Sequence, residues 1–127
     1  MKSTKGFTLV ELVIVIVIVG ILSVVAVPVY KGYTKKAMAT EGKALLGAIN
    51  TSQKVYFAEW AIFVNGASAS AILDVNAGSN KYFTTFGVTG NTTGFTASTA
   101  GTGGANGIAL TLTGSSSGAS NIVESGL

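Results

Sequence analysis

The stretch KGFTLVELVIVIVIVGILSVVAVPVY, Lys5 to Tyr30, decides how the chain is built. From Leu12 to Val29 it holds no charged residue. Such a run of about eighteen residues makes roughly 27 Å of helix, just enough to cross the hydrocarbon core of a bilayer. Val and Ile dominate it, and in water these residues lean towards strand. In lipid, however, a single segment satisfies its own backbone hydrogen bonds only as a helix. The stretch therefore reads as a membrane helix, with Glu11 as a lone carboxylate near its start.

Working outward, Lys2 and Lys5 precede the apolar run and Lys31, Lys35 and Lys36 follow it, so positive charge alone sets no orientation. A secretory signal peptide also joins a basic start to an apolar run, but it is cut beyond that run, next to small residues. SVVAVPVYKGY offers Ala26 without an A-x-A site, and Pro28 is followed by an amphipathic continuation. The run is expected to be retained.

The 127 residues leave room for one small domain plus an appendage. With 48% hydrophobic and 10% charged residues and a mean hydropathy of +0.56, the chain is too apolar and too charge-poor for an ordinary soluble domain. The apolar excess lies in the segment before Lys31, while Gly, Ser, Thr, Ala and Asn dominate the C-terminal half. The sequence has neither Cys nor His, which excludes disulfides, thiol nucleophiles, imidazole bases and the usual zinc ligand sets. A net charge of +3 without any Arg or dense basic run does not indicate DNA binding.

The quoted stretch resembles the N-terminal signature of type IV pilins and the related pseudopilins of type II secretion. A short basic leader ends in Gly6, Phe7-Thr8-Leu9 follows, Glu11 stands four residues after the Phe, and the apolar helix comes next, all in register. The resemblance covers roughly the first sixty residues. It implies that a membrane-embedded prepilin peptidase cuts between Gly6 and Phe7 and methylates the new amine of Phe7. It further implies a homopolymeric helical filament, raised from the inner membrane by an assembly platform protein and a cytoplasmic ATPase.

Glu11 then has two readings. A carboxylate in a span costs about 2.5–3.5 kcal/mol at mid-bilayer and less near the end, so a partner is expected. Thr8 and Glu11 have the spacing of a capping box, with Thr8 as helix cap and Glu11 reaching back to its N–H; a carboxylate in the first turn also complements the helix dipole. Alternatively, Glu11 neutralises the Phe7 ammonium on the same or a neighbouring chain, an assembly ion pair that the resemblance implies and that selects register more than it adds stability. The two roles are compatible.

Pro28 lacks an amide hydrogen and is expected to break the bond to Val24, so Gly20 to Pro28 is the stretch expected to kink, or, by the resemblance, to melt on assembly. Beyond it Met38, Leu45, Ile49, Tyr56, Trp60 and Phe63 recur at three, four or seven, predicting an amphipathic helix to about Trp60 whose apolar face packs on the head. VNGASASAILDVNAGSN, Val64 to Asn80, reads as a loop with one short helical turn. KYFTTFGV, GFTASTA and GIALTLTG then predict three or four antiparallel strands separated by Gly and Asn turns such as GNTTG. GSSSGAS is low-complexity, read as a mobile loop or an ordered polar one.

The fold class expected is α+β, a long N-terminal helix packed on a small antiparallel head. Its parts are a cleaved leader over 1–6, a membrane or filament-core helix over 7–30, an amphipathic continuation over 31–63 and the head over 64–127. No nucleophile, base and orienting group come together, so the chain reads as a non-enzyme without cofactor. Asp74-Val75-Asn76 begins like a calcium loop but brings too few carboxylates for a metal. Asn50-Thr51-Ser52 and Asn91-Thr92-Thr93 match the glycosylation sequon, a cheap match in so Asn- and Thr-rich a chain.

The function expected is the major subunit of a type IV pilus, a surface filament serving adhesion, twitching motility or DNA uptake. The alternatives are a type II secretion pseudopilin and an anchored binding protein that never polymerises. The absence of cysteine departs from those pilins that pin a C-terminal loop with a disulfide.

Overall fold

A computed structural model describes residues 5–127; of the expected leader, residues 1–4 lie outside the described part. The element order is a long helix α1 (Leu9–Trp60), a single-turn helix α2 (Ala69–Ile72), strands β1 (Gly87–Gly90) and β2 (Gly94–Ala100), a short 3-10 turn, and strands β3 (Ala109–Ser115) and β4 (Ser120–Ser125). The chain divides into two compact units, one ending at Thr34 and the other running from Lys35 to Leu127.

In the first unit the helix is apolar on every side. It is long and apolar enough to cross a membrane, and none of its apolar window is buried. Within it, the hydroxyl of Ser23 donates to Val19 O at 2.7 Å, so the polar side chain in the middle of the run has a partner on its own helix. Pro28 lies inside the continuous helix, as does Gly20.

The second unit is a four-stranded antiparallel meander in the order β1-β2-β3-β4, covered on one face by the second half of α1. Ala39, Gly42, Leu46, Ile49 and Gln53 are buried at alternating steps of three and four, the seam a helix presents to a packing partner. They meet Phe83, Ile108, Leu110 and Leu112, all nearly free of solvent. Gly42 is small for a reason: a Cβ there would overlap Leu110 Cδ1 and press on Phe83, so the sheet's side chains reach the helix backbone itself. The same device recurs within the sheet, where the Phe95 ring lies over its cross-strand partner Gly114.

Polar groups tie the return of the chain to the helix. After Trp60 the backbone turns through Ala61, which takes a left-handed φ of 53°, and Ala61 N–H donates to Phe57 O at 2.8 Å. The returning Val64 is then held by the buried Gln53 amide, which accepts from Val64 N–H at 2.8 Å and donates to Val64 O at 3.0 Å. Phe63 N–H and Gly66 N–H donate to Asn91 O and Val88 O, so this segment closes the β1 edge.

Two local differences from the sequence reading have physical causes. Residues 81–86, expected to be strand, are irregular, and β1 is confined to Gly87–Gly90. The N–H groups of Lys81, Tyr82 and Phe83 donate to the Glu41 carboxylate at 3.1, 2.6 and 2.9 Å, so they are not free for a ladder. GSSSGAS, in turn, builds the β3–β4 turn, with Ser115 N–H donating to Ala119 O at 2.9 Å and Ser116 N–H to Thr93 O at 2.9 Å.

Candidate assembly motif at the helix start

The helix begins at Leu9 because the residues before it supply a complete N-terminal cap. Thr8 N–H and Thr8 Oγ1 each donate to Glu11 Oε2 at 2.8 Å, and Glu11 N–H donates back to Thr8 Oγ1 at 3.3 Å. This reciprocal pair is a capping box, satisfying donors that the first helical turn leaves without partners. Only Oε2 of the carboxylate is engaged; Oε1 accepts no hydrogen bond among the described residues. One carboxylate oxygen thus closes the cap while the other is left without a hydrogen bond among the described residues, and capping does not consume the group's capacity to meet a cation.

Among the described residues nothing crowds this box. A Cβ added at Gly6 would meet nothing within 4 Å, and Phe7 is 84% exposed. The Gly6–Phe7 peptide therefore lies in an accessible segment just ahead of the helix. From Leu9 to Val29 the large apolar side chains are all exposed. Gly20 likewise faces open space.

The residues expected to pack helix on head are distributed unevenly. Leu45 and Ile49 are buried in the core, and Met38 and Tyr56 are half-buried against it. Trp60 is 65% exposed and only stacks on Tyr56, at 6.2 Å between ring centroids. It is the last helical residue, beyond the reach of the chain that folds back through Phe63 and Val64, so nothing covers it. The seam also contains Leu46, outside the steps read from the sequence, and Ala39, Gly42 and Gln53, which an apolar count passes over because two are small and one is polar.

The remaining candidates sit apart from one another. Asp74 has a left-handed φ of 52°, Asn76 caps Gly78 N–H, and among the described residues no three acidic, His or Cys side chains gather to hold a metal. Asn50 lies within α1 and donates to Ser120 Oγ at 3.3 Å. Asn91 shapes the β1–β2 turn, its Oδ1 accepting from Thr93 N–H, Thr93 Oγ1 and Gly94 N–H within 2.8–2.9 Å.

Comparison with known proteins adds to this geometry. Residues 1–27 match the family described as the prokaryotic N-terminal methylation motif. A fimbrial protein of Pseudomonas aeruginosa is 38% identical over 68 residues, 54% of this chain and 44% of that protein. The type IV major pilin protein PilE of Neisseria gonorrhoeae is 36% identical over 78 residues, 61% of this chain and 47% of that protein. Fimbrial protein EcpC of Eikenella corrodens is 32% identical over 92 residues, 63% of this chain and 60% of that protein. The chain thus spans about half the length of the curated relatives it matches. No solved structure matches. With the motif in place and relatives of these names, the N-terminal part of the chain is similar to type IV pilins.

Proposed function

We propose that this chain is the major structural subunit of a type IV pilus and has no catalytic role. The observation that carries the proposal is the helix before Thr34, apolar on all sides and unburied, behind a cap whose carboxylate keeps one oxygen free. A helix of this kind is stable in a bilayer, and equally so among copies of itself. Moving from one to the other exchanges apolar surroundings for apolar surroundings, so assembly does not have to overcome a large hydrophobic cost. Repeated identical contacts that do not close on themselves build an open fibre.

In this reading a prepilin peptidase cuts between Gly6 and Phe7 and the Phe7 amine is methylated. The freed ammonium of an incoming subunit meets Glu11, whose Oε1 is available without dismantling the capping box. A buried carboxylate with no cation is strongly disfavoured, so the pair rejects wrong registers in an otherwise uniform apolar bundle. The precursor resides in the inner membrane, a platform protein and a cytoplasmic ATPase drive extraction, and the finished filament lies outside the cell. Gly20 to Pro28 is the segment proposed to bend or melt as the helix leaves lipid, since Pro28 cannot donate to Val24 O.

Intact-mass spectrometry of filaments sheared from cells tests this reading, with electron micrographs of the same fraction. The expected result is a dominant species beginning at Phe7 and carrying one added methyl group, in long fibres. Processed chain that stays in the cell envelope would favour the pseudopilin instead, and an unprocessed chain beside an active peptidase would overturn the cleavage proposal.

A further inference from the structure

The two edges of the sheet differ. At β1 the returning chain donates through Phe63 N–H and Gly66 N–H, whereas among the described residues nothing pairs with the outer side of the β4 backbone. Register shows which groups are left over. Ser115 N–H donates to Ala119 O across the β3–β4 turn. In the alternation of an antiparallel ladder, Asn121, Val123 and Ser125 are then the residues that exchange hydrogen bonds with Thr113, Thr111 and Ala109. The N–H and C=O groups of Ser120, Ile122 and Glu124 therefore point away from the sheet. β4 carries neither Pro nor Lys, two of the devices that blunt an exposed edge. Its one charge, Glu124, is held by Lys43.

The flank of α1 beside this edge is basic. Lys43 meets Glu124, Asn50 donates to Ser120 Oγ, and Lys35 Nζ donates to Gly126 O at 3.1 Å, so β4 runs along one side of the helix. Lys36 and Lys54 stand about two turns before and about three turns after Lys43, which puts them on the same side. Both are exposed and neither has an ion pair among the described residues. Between them the surface is low, since a Cβ at Gly47 would meet nothing within 4 Å. Charge is sorted by side: from Lys35 onward Lys81 alone among the lysines lies off this flank. Glu41 and Glu59, about five turns apart, share the other side, where Glu41 binds the segment from Lys81 to Phe83.

We propose that the β4 edge takes up an extended acidic segment of a partner protein as a fifth strand. Its backbone bonds to Ser120, Ile122 and Glu124, and its carboxylates reach Lys36 and Lys54. The backbone groups select the kind of ligand: paired donors and acceptors repeating about every 6.8 Å along a strand are matched by another extended peptide. The lysines select its charge. Alternate side chains of an added strand turn towards α1, so acidic residues at every second position meet the basic flank. Lys36 and Lys54 are about 27 Å apart along the helix, the length of about eight extended residues. A second copy fits less well, because its own β4 brings one carboxylate already held by Lys43 and a second lysine flank to repel the first. The inference concerns the head alone and does not rest on the filament reading.

The test titrates the full isotope-labelled chain, held in phosphocholine detergent, with a synthetic octapeptide alternating glutamate and threonine, and reads amide hydrogen exchange residue by residue. Saturable binding is expected. Exchange at the Ile122 and Glu124 amides should slow at least tenfold, while Asn121 and Val123, already bonded to β3, change little. The Lys36→Gln, Lys54→Gln double variant, which alters exposed side chains only, should bind at least fivefold more weakly. The proposal is overturned by a lack of saturable binding, by protection that does not alternate along β4, or by unchanged binding in the double variant. Equal binding of duplex DNA, or of the same peptide with every amide N-methylated, would overturn it by showing that charge alone is read. Slower exchange at Ile122 and Glu124 on raising protein concentration without peptide would overturn it too, by showing that the edge pairs with a second copy.

Discussion

The two halves of α1 solve the same problem in opposite ways. Before Thr34 the helix buries none of its apolar window, and Val and Ile line it all round. From Lys35 on, it narrows its buried surface to a seam at steps of three and four and covers that seam with its own sheet. The second half is complete within one chain; the first leaves its apolar surface bare. The contrast teaches that head folding is written as complementarity at Gly42, Glu41 and Gln53, while the proposed anchoring and assembly would draw on the surplus apolar surface of the first half.

The largest expected effect comes from the incomplete half. Glu11→Gln keeps an amide oxygen for Thr8 N–H and Thr8 Oγ1 but loses the negative charge. Filament yield, measured by shearing and immunoblotting, should fall at least tenfold while membrane levels of the subunit stay unchanged, since a buried ammonium without its counter-charge costs about 3–5 kcal/mol. Wild-type yield would show that Glu11 serves only as a cap.

In the complete half, Gly42→Val should be the most damaging single change. The added carbons meet Leu110 Cδ1 and the Phe83 ring, and overpacking of this kind costs about 1–3 kcal/mol, more where backbone must shift. Thermal unfolding followed by circular dichroism checks it, with membrane insertion unaffected. Next, Gln53→Ala leaves Val64 N–H and Val64 O buried without their partner. At about 1–3 kcal/mol for each group so stranded, the head should lose stability by a comparable amount, read by the same melt.

A pH dependence separates the halves further. Burial pushes the Glu41 carboxyl upward, but the N–H groups of Tyr82, Phe83 and Lys81 outweigh it and hold the group below the ordinary value of 4.5. Because the folded state binds this proton less readily than the unfolded one, the contribution is present above about pH 4.5 and is lost as pH falls through the folded value. Glu41→Gln should flatten the acid limb of the head's melting curve without altering the helix before Thr34. The smallest effect belongs to the ion pair of Lys43 Nζ with Glu124 Oε1 at 2.6 Å. Both groups are solvated, so Lys43→Met should change stability by less than about 1 kcal/mol.

How legible these features are in the sequence follows from what each is made of. The helix before Tyr30 and the Thr8–Glu11 box are readable because they depend on local composition and a fixed short spacing. The meander is readable from alternation and Gly or Asn turns, although NIVES in β4 is too short a pattern to announce a strand. What escapes is long-range: Glu41 reaches forty-one residues ahead to Tyr82, and Gln53 reaches eleven ahead to Val64. Neither carries a local signal, and Gly42 looks like a helix-weakening residue until Leu110 is seen against it. Trp60 misleads in the other direction, since its period fits the seam but the covering chain has already turned away.

The central claim is that the helix before Thr34, bare in the single chain, becomes covered between copies in the fibre. The native chain has no cysteine, so single cysteines report cleanly. Ile16→Cys and Val123→Cys, exposed by 66% and 58% respectively in the isolated chain, would be treated with a membrane-impermeant maleimide in intact sheared filaments. The account predicts that position 123 labels to completion while position 16 stays unmodified until the fibre is dissolved. Labelling of position 16 as fast as position 123 would contradict it.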